Sequence, residues 1–174
     1  EKSLKNMHKN FNSFKDYKDQ VKRLHDHGIA INGCFVFGSD EDNKDVFKRT
    51  VDFVQENNID LPRYTVYTPF PGTPLYQRLQ SEGRILTNNW SLYDAQHVVM
   101  KPKNMSPEEL QEGHHWAWKQ TYSFSNIFKR MIGARILPHV VIPANIAYHL
   151  YAERLPNFDT DTMNATDFTG IPDI

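Results

Sequence analysis

The run IAINGCFVF, Ile29 to Phe37, constrains this chain more than any other stretch. It is almost continuously apolar and is bounded by Gly28 and Gly38, with no alternation of apolar and polar positions. That pattern predicts a strand covered on both faces, as in a parallel sheet. A parallel strand needs a crossover to reach its neighbour, and the sequence supplies one. After the acidic turn GSDEDN, Val46, Phe47, Thr50, Val51 and Val54 repeat at helical spacing until Asn57 and Asn58, and RYTVY, Arg63 to Tyr67, reads as a second short strand. Such a strand–helix–strand unit crosses over right-handed and brings GSDED and TPFPGTP to one edge of the sheet. Ligands of α/β folds bind at that edge.

The second strand runs into TPFPGTPLYQRL, Thr68 to Leu79. Proline fixes φ and removes a backbone donor, so Pro69 and Pro71 cannot extend a strand or helix, while Gly72 allows a close backbone approach. Thr73 reads as an N-cap with Pro74 at the first helical position. A corner this stiff would hold carbonyls and amides in place around a flat ring, and a ligand spanning the two strand ends would meet Gly38, Tyr67, Thr68, Pro69 and Phe70. The competing reading is a turn that docks the following helix. At the other strand end, Asp40, Glu41 and Asp42 suit either a carboxylate holding ligand hydroxyls or an Asp-x-Asp cation site. Against these stands capping of the next helix by Asp42 or Asn43, favoured for Asp42 alone.

Upstream, Phe14, Tyr17, Val21 and Leu24 fall on one face of a surface helix capped by Ser13 and ended by Gly28, with one buried stripe. Residues 1 to 27 carry seven Lys or Arg against four acids, a solvated face rather than a nucleic-acid surface, since the formal net charge of the chain is −1. Two convincing parallel strands do not make a sheet. Either HVVM within residues 90 to 100 adds a strand, or the sequence is the later part of a larger α/β protein; the second reading is preferred. Downstream, Ser106, Pro107 and Glu109 form a capping box that launches a helix rich in Trp116, Trp118, Tyr122, Phe124 and Phe128. A further segment with Val140, Val141, Ile146, Ala147 and Leu150 looks helical despite Pro143, and the end of the chain has four Asp and neither Lys nor Arg. The expected organisation is barrel residues 1–88, a helical extension 89–155 and a flexible acidic tail 156–174.

Several groups invite a chemical reading and receive a plainer one. Cys34 is expected to be a packed core thiol. As the single cysteine, it excludes an internal disulfide and any site built from several thiolates of this chain. His25 and His27 suit the C-terminal end of a helix. Adjacent His114 and His115 point about 100° apart on a helix and cannot share one ion. The aromatic helix lacks the interleaved basic residues of a base-stacking platform, so no nucleic acid is expected. No apolar run approaches the roughly 20 residues of a spanning helix, and the polar start lacks a secretory pattern, so no transmembrane segment and a cytoplasmic location are expected.

Taken together, GIAINGCFVFGSDED, RYTVYTPFPGTPLYQRLQSEGRIL and NNWSLYDAQHVVMKPKNMSPEEL resemble the later half of radical S-adenosylmethionine enzymes. The resemblance is to the cobalamin-binding-domain subgroup with a helical C-terminal extension; it covers nearly residues 1 to 150 and rests most on FVFGSDED and TPFPGTPLY in that order. It implies an α/β fold: late strands and helices of a partial parallel (β/α) barrel, followed by a mainly helical extension. It also implies that Phe35, Val36, Phe37 and Gly38 form a wall against the adenine of S-adenosylmethionine, with Asp40 and the corner Tyr67, Thr68, Pro69 and Phe70 beside it. The cofactors implied are S-adenosylmethionine, a [4Fe-4S] cluster and, from a domain outside this chain, cobalamin. The cluster's Cys-x-x-x-Cys-x-x-Cys loop is absent, so the cluster ligands must lie outside these residues, and no catalytic residue or metal ligand is assigned here.

The reading is the C-terminal half of a radical S-adenosylmethionine enzyme that cleaves its cofactor to a deoxyadenosyl radical and acts on a small molecule by methyl transfer or related C–H chemistry. Its expected partner is the remainder of the polypeptide. Two rivals remain open: a metal-dependent nucleotide-sugar transferase using Asp40 and Asp42, and a noncatalytic partner-binding module on the aromatic helices.

Overall fold

The predicted strand–helix–strand unit organises the molecule. A computed structural model describes residues 17–133 and 136–163. Its elements are α1 (Tyr17–Asp26), β1 (Cys34–Phe37), α2 (Asp45–Glu56), β2 (Arg63–Val66), α3 (Pro74–Ser81), a single 3-10 turn (Trp90–Leu92), α4 (Pro107–Thr121), α5 (Phe124–Gly133) and α6 (Pro138–Met163). The described residues are thus mostly helical around one two-stranded parallel sheet. β1 and β2 pair from Cys34 with Arg63 to Phe37 with Val66. The ladder reaches further than the strands: Leu61 donates its amide to Ile31 at 3.0 Å and Tyr67 to Phe37 at 2.8 Å. β1 is shorter than the apolar run: the amide of Ile31 goes to the buried carboxylate of Asp60 at 2.8 Å rather than to a backbone carbonyl on the β2 side.

Residues paired across a parallel ladder share a face. Phe35, Phe37, Tyr64 and Val66 turn toward α2 and α4; Cys34, Val36, Arg63 and Thr65 turn the other way. On the first face the ring of Phe37 stacks on Tyr64 at 5.4 Å, meets Phe47 edge-on at 4.9 Å, and Tyr64 meets Trp118 edge-on at 5.6 Å. Fully burying each such side chain stabilises by about 1.5–3 kcal/mol. The phenols are not left dry: Tyr64 bonds Thr121 and Tyr122 donates to the carbonyl of Pro62, each at 2.6 Å. On the second face no described element lies over the strands, and Val36 is 45% exposed. This corrects two expectations. The strand is covered on one face, and Cys34 is an exposed thiol rather than a core one, because period-two alternation places it with Val36.

α2 and α4 lock through one hole. Gly113 lies mid-helix in α4, where glycine costs about 1 kcal/mol relative to alanine, and a Cβ there would stand 2.2 Å from the ring of Phe47. The missing side chain makes room for that ring. α4 opens with the expected capping box of Ser106 and Glu109. The long aromatic helix, by contrast, breaks at Tyr122 and restarts at Phe124. Trp118 and Tyr122 enter the core against Tyr148 and, for Trp118, Tyr151 of α6, whereas Trp116, Phe124 and Phe128 stay exposed.

HVVM adds no parallel strand. It forms an isolated antiparallel bridge, Ile85 to Met100, while the carbonyl of Ala95 takes the outer amide of Val66 at 2.8 Å. The stripe on α1 is only half covered: Leu24 is 39% exposed and Tyr17 meets the ring edge of Phe53. Gly28, at φ +73°, ends that helix as expected. Ser13 and Phe14 lie outside the described residues, as does the acidic tail from residue 164 onward.

Candidate functional site

The carboxyl ends of β1 and β2 lie side by side, because Phe37 pairs with Val66 and its carbonyl accepts from Tyr67. Gly38 leaves β1 at φ +97°, a conformation that favours glycine. A Cβ on Gly38 would stand 2.7 Å from Leu110, so this position turns the chain under α4 and presents only main chain. Across the edge, Tyr67 is half-buried, Thr68 and Pro69 are buried, and Phe70 is 48% exposed. The hydroxyl of Thr68 donates to the carbonyl of Val66 at 3.0 Å, closing the corner on its own strand. Thr73 caps α3 as its sequence predicts, accepting from the amide of Tyr76 at 3.2 Å and donating to the carbonyl of Phe70 at 2.6 Å.

Of the residues singled out in the sequence, Val36 lies on the open face opposite Thr65, and half-buried Tyr67 and exposed Phe70 belong to the corner after β2. Phe37 is 1% exposed and Phe35 half-buried, both on the helix side, so they shape the edge from beneath.

Asp40 is held by cations. Its carboxylate accepts from Arg78 at 2.6 Å and Arg84 at 2.9 Å and lies 3.3 Å from the ammonium of Lys103. Partial burial alone would raise its pKa, but the bonds from Arg78 and Arg84 prevail and hold the carboxyl at about 2. Asp42 is different. It is 7% exposed and accepts from the amides of Gly38 and Ser39 at 3.1 and 3.0 Å; burial raises its pKa against those bonds. Asp42 therefore caps its own loop, while Asn43 accepts from the amide of Asp45 at the start of α2. The carboxamide of Asn104 donates to the carbonyls of Asp40 and Asp42, fixing the loop from the far side.

The Arg78, Arg84, Lys103 and Asn104 clasp escapes a reading of local motifs. Its signal is RLQSEGR directly after the corner and KPKN further on, cations and an amide within reach of Asp40 only once the chain folds. His25 is a second such case: it bonds buried Asp60 at 2.9 Å, whereas His27 bonds the carbonyl of Arg23 at the helix end as expected. His114 is fully buried with its Nε2 near the carbonyl of Tyr64.

Among the described residues no group of three or more His, Cys, Asp or Glu is placed to hold a metal. A [4Fe-4S] cluster held by cysteine thiolates does not fit a chain whose one cysteine is Cys34. At this edge Val36 and Phe70 expose apolar side chains, 45% and 48% respectively, and Gly38 offers main chain alone.

Comparison with known proteins agrees with the resemblance. The family described as "Domain of unknown function (DUF4070)" matches residues 73–140. The bacteriochlorophyllide d C-12(1)-methyltransferase of Chlorobaculum tepidum is 38% identical over 130 residues, 75% of this chain and 28% of that protein. The same organism's bacteriochlorophyllide d C-8(2)-methyltransferase is 27% identical over 92% of this chain and 36% of its own length. The chain is related to the C-terminal part of radical S-adenosylmethionine enzymes. The anaerobic magnesium-protoporphyrin IX monomethyl ester cyclase of Cereibacter sphaeroides is 27% identical over 64% of this chain and 18% of the cyclase. These relatives are much longer proteins, and the chain spans 28% and 36% of the first two.

Proposed function

We propose that this chain forms the adenine-side wall of a radical S-adenosylmethionine enzyme acting by methyl transfer or related C–H chemistry, its helical extension backing that wall rather than covering the substrate. The observation that carries the proposal is the half-dressed sheet: two parallel strands with helices on one face, the other face bare at Val36, and both carboxyl ends on one edge. In a (β/α) barrel the helices stand outside and the bare strand face looks into the barrel. Val36 and Thr65 would then line the interior, with the corner at Tyr67 to Phe70 on its rim, while α4 and the helices packed on it stand outside, over the covered face.

S-adenosylmethionine, held at this edge by Val36, Phe70 and Gly38, would supply radical chemistry upon reduction by a cluster liganded outside this chain. This chain's part is to hold and orient. Val36 gives the adenine an apolar surface, Phe70 a neighbouring ring, and Gly38 a main chain free of a side chain at the strand end. Asp40, clasped by Arg78 and Arg84, keeps the loop after β1 in place. Cobalamin, where used, belongs to a domain outside these residues. The transferase rival has less support, because Asp40 is engaged by cations and Asp42 by backbone amides. A binding module built on the aromatic helices loses Trp118, which is 2% exposed, but keeps Trp116, Phe124 and Phe128 at the surface.

The test uses the full-length polypeptide, reconstituted anaerobically with iron and sulfide. Val36→Trp fills the open face without entering the core. It is expected to lower deoxyadenosine formation at least about tenfold by obstructing cofactor binding, with thermal unfolding unchanged. Undiminished S-adenosylmethionine binding in this variant would falsify the wall. Gly38→Trp is the wrong probe, since its side chain would collide with Leu110.

A further inference from the structure

The two edges of the sheet are finished differently. Successive residues of a strand point their amides and carbonyls to opposite sides of it. The bonds from Arg63 to Gly33 and from Tyr67 to Phe37 turn Gly33, Phe35 and Phe37 toward β2. Pro62, Tyr64 and Val66 therefore face outward from β2, and Cys34 and Val36 outward from β1. The outer edge of β2 is sealed by this chain itself. The carbonyl of Pro62 accepts from Tyr122 at 2.6 Å, that of Tyr64 from Trp118 at 3.2 Å and that of Val66 from Thr68 at 3.0 Å. The amide of Val66 donates to Ala95 at 2.8 Å. Along β1, no described residue takes the outward amides or carbonyls of Cys34 and Val36. A bare strand edge is a template for another strand.

Handedness picks the occupant. α2 crosses the covered face on its way from β1 to β2, and α1 reaches the same face: Tyr17 meets Phe53 at 6.4 Å, and Phe53 meets Phe35 edge-on at 6.1 Å. A crossover from one parallel strand to the next is right-handed. With both helices on one face, a strand that precedes α1 falls beside β1 on the side away from β2. α1 has room for such a strand beneath it, because it buries none of its residues and leaves Leu24 39% and the following Ile29 50% exposed. We infer that the sheet grows at β1 alone: a parallel strand of the same polypeptide, upstream of α1, pairs with Cys34 and Val36, and β2 stays the last strand. The relatives matched are long enough to hold one, since the chain spans 28% and 36% of the first two. A second copy is a poorer occupant. Two β1 edges related by a two-fold axis would run antiparallel, and α1 would be a crossover with no strand to cross from. The inference rests on the reading of this chain as part of a longer polypeptide but involves no cofactor, so S-adenosylmethionine binding and strand pairing can fail separately.

Amide hydrogen exchange, resolved residue by residue on the full-length polypeptide without added cofactor, tests the pairing. Phe35 and Phe37 are the internal control, because β2 already takes their amides. Cys34 and Val36 should exchange within about tenfold of them. Free exchange at Cys34 and Val36 beside protected Phe35 and Phe37 overturns the proposal, and free exchange at all four overturns it together with the sheet. Protection of Cys34 and Val36 that is lost on dilution assigns the edge to a second copy and overturns it too. Val36→Pro gives an independent reading, since proline is tolerated where a strand amide faces solvent and not where it is paired. It should lower the folded-to-unfolded ratio of the full polypeptide at least about tenfold, read by urea denaturation. An unchanged ratio would leave β1 an edge strand and sink the proposal.

Discussion

The two faces of one small sheet differ in almost everything except backbone. One face carries Phe35, Phe37, Tyr64 and Val66 and is sealed by Phe47, Leu110 and Trp118; the other carries Cys34, Val36, Arg63 and Thr65, with no described element over it. The same four-residue ladder thus does two jobs. Its covered face supplies stability through aromatic burial, and its bare face is left open among the described residues. Substitutions on the two faces should therefore separate into stability effects and binding effects.

The largest effect should come from the sealed face. Phe37→Ala removes the ring between Tyr64 and Phe47 and should cost about 3–5 kcal/mol, read by urea denaturation of the full chain. If this variant unfolds at the same denaturant concentration as the parent, the two faces are energetically alike and the contrast fails. Next comes the hole that admits Phe47. Gly113→Ala introduces a Cβ into space the ring already occupies and should destabilise by about 1–3 kcal/mol, although alanine is the better helix former. A gain in stability would mean that α2 and α4 are not locked as described.

Asp40 tests the rim between the faces. Its carboxyl, at about 2, lies below its ordinary value, so the stability it contributes is whole above about pH 4 and is lost as pH falls toward 2. Asp40→Asn should cost about 1–2 kcal/mol at neutral pH and flatten the acid limb of the stability curve in that window. An unchanged limb would place the acid sensitivity elsewhere. The smallest effect belongs to the bare face: Val36→Thr should move stability by less than about 0.5 kcal/mol. A cost of several kcal/mol there would show that the face is covered in the protein tested.

Much of the local structure was legible. Thr73 with Pro74, and Ser106 with Glu109, state their caps in the side chains that make them, and the apolar spacing of Phe47, Val51 and Val54 marks the buried side of α2. The one-sided burial of β1 was not legible. An apolar run carries no mark of which face awaits material from elsewhere, and so Cys34 and Val36 look the same as Phe37 in sequence. The clasp on Asp40 was hidden for another reason: its cations stand 38, 44 and 63 residues away, and ion pairs of that separation leave no periodic trace. The break at Tyr122 was missed as well. There Thr121, Ser123, Ser125 and Asn126 are weak helix formers, and the buried contacts of Tyr122 with Pro62 and Tyr148 fix where the helix ends.

The ring of Phe47 in the gap at Gly113 carries a consequence for the evolutionary module matched here. That module begins at Thr73, yet the depression on its principal helix is filled from α2, upstream of its border. The matched unit and the unit that can fold are therefore not the same length. A protein cut at Thr73 would present an empty socket to water, and any lineage that transplanted the module to a new host would have to bring along, or reinvent, an aromatic plug.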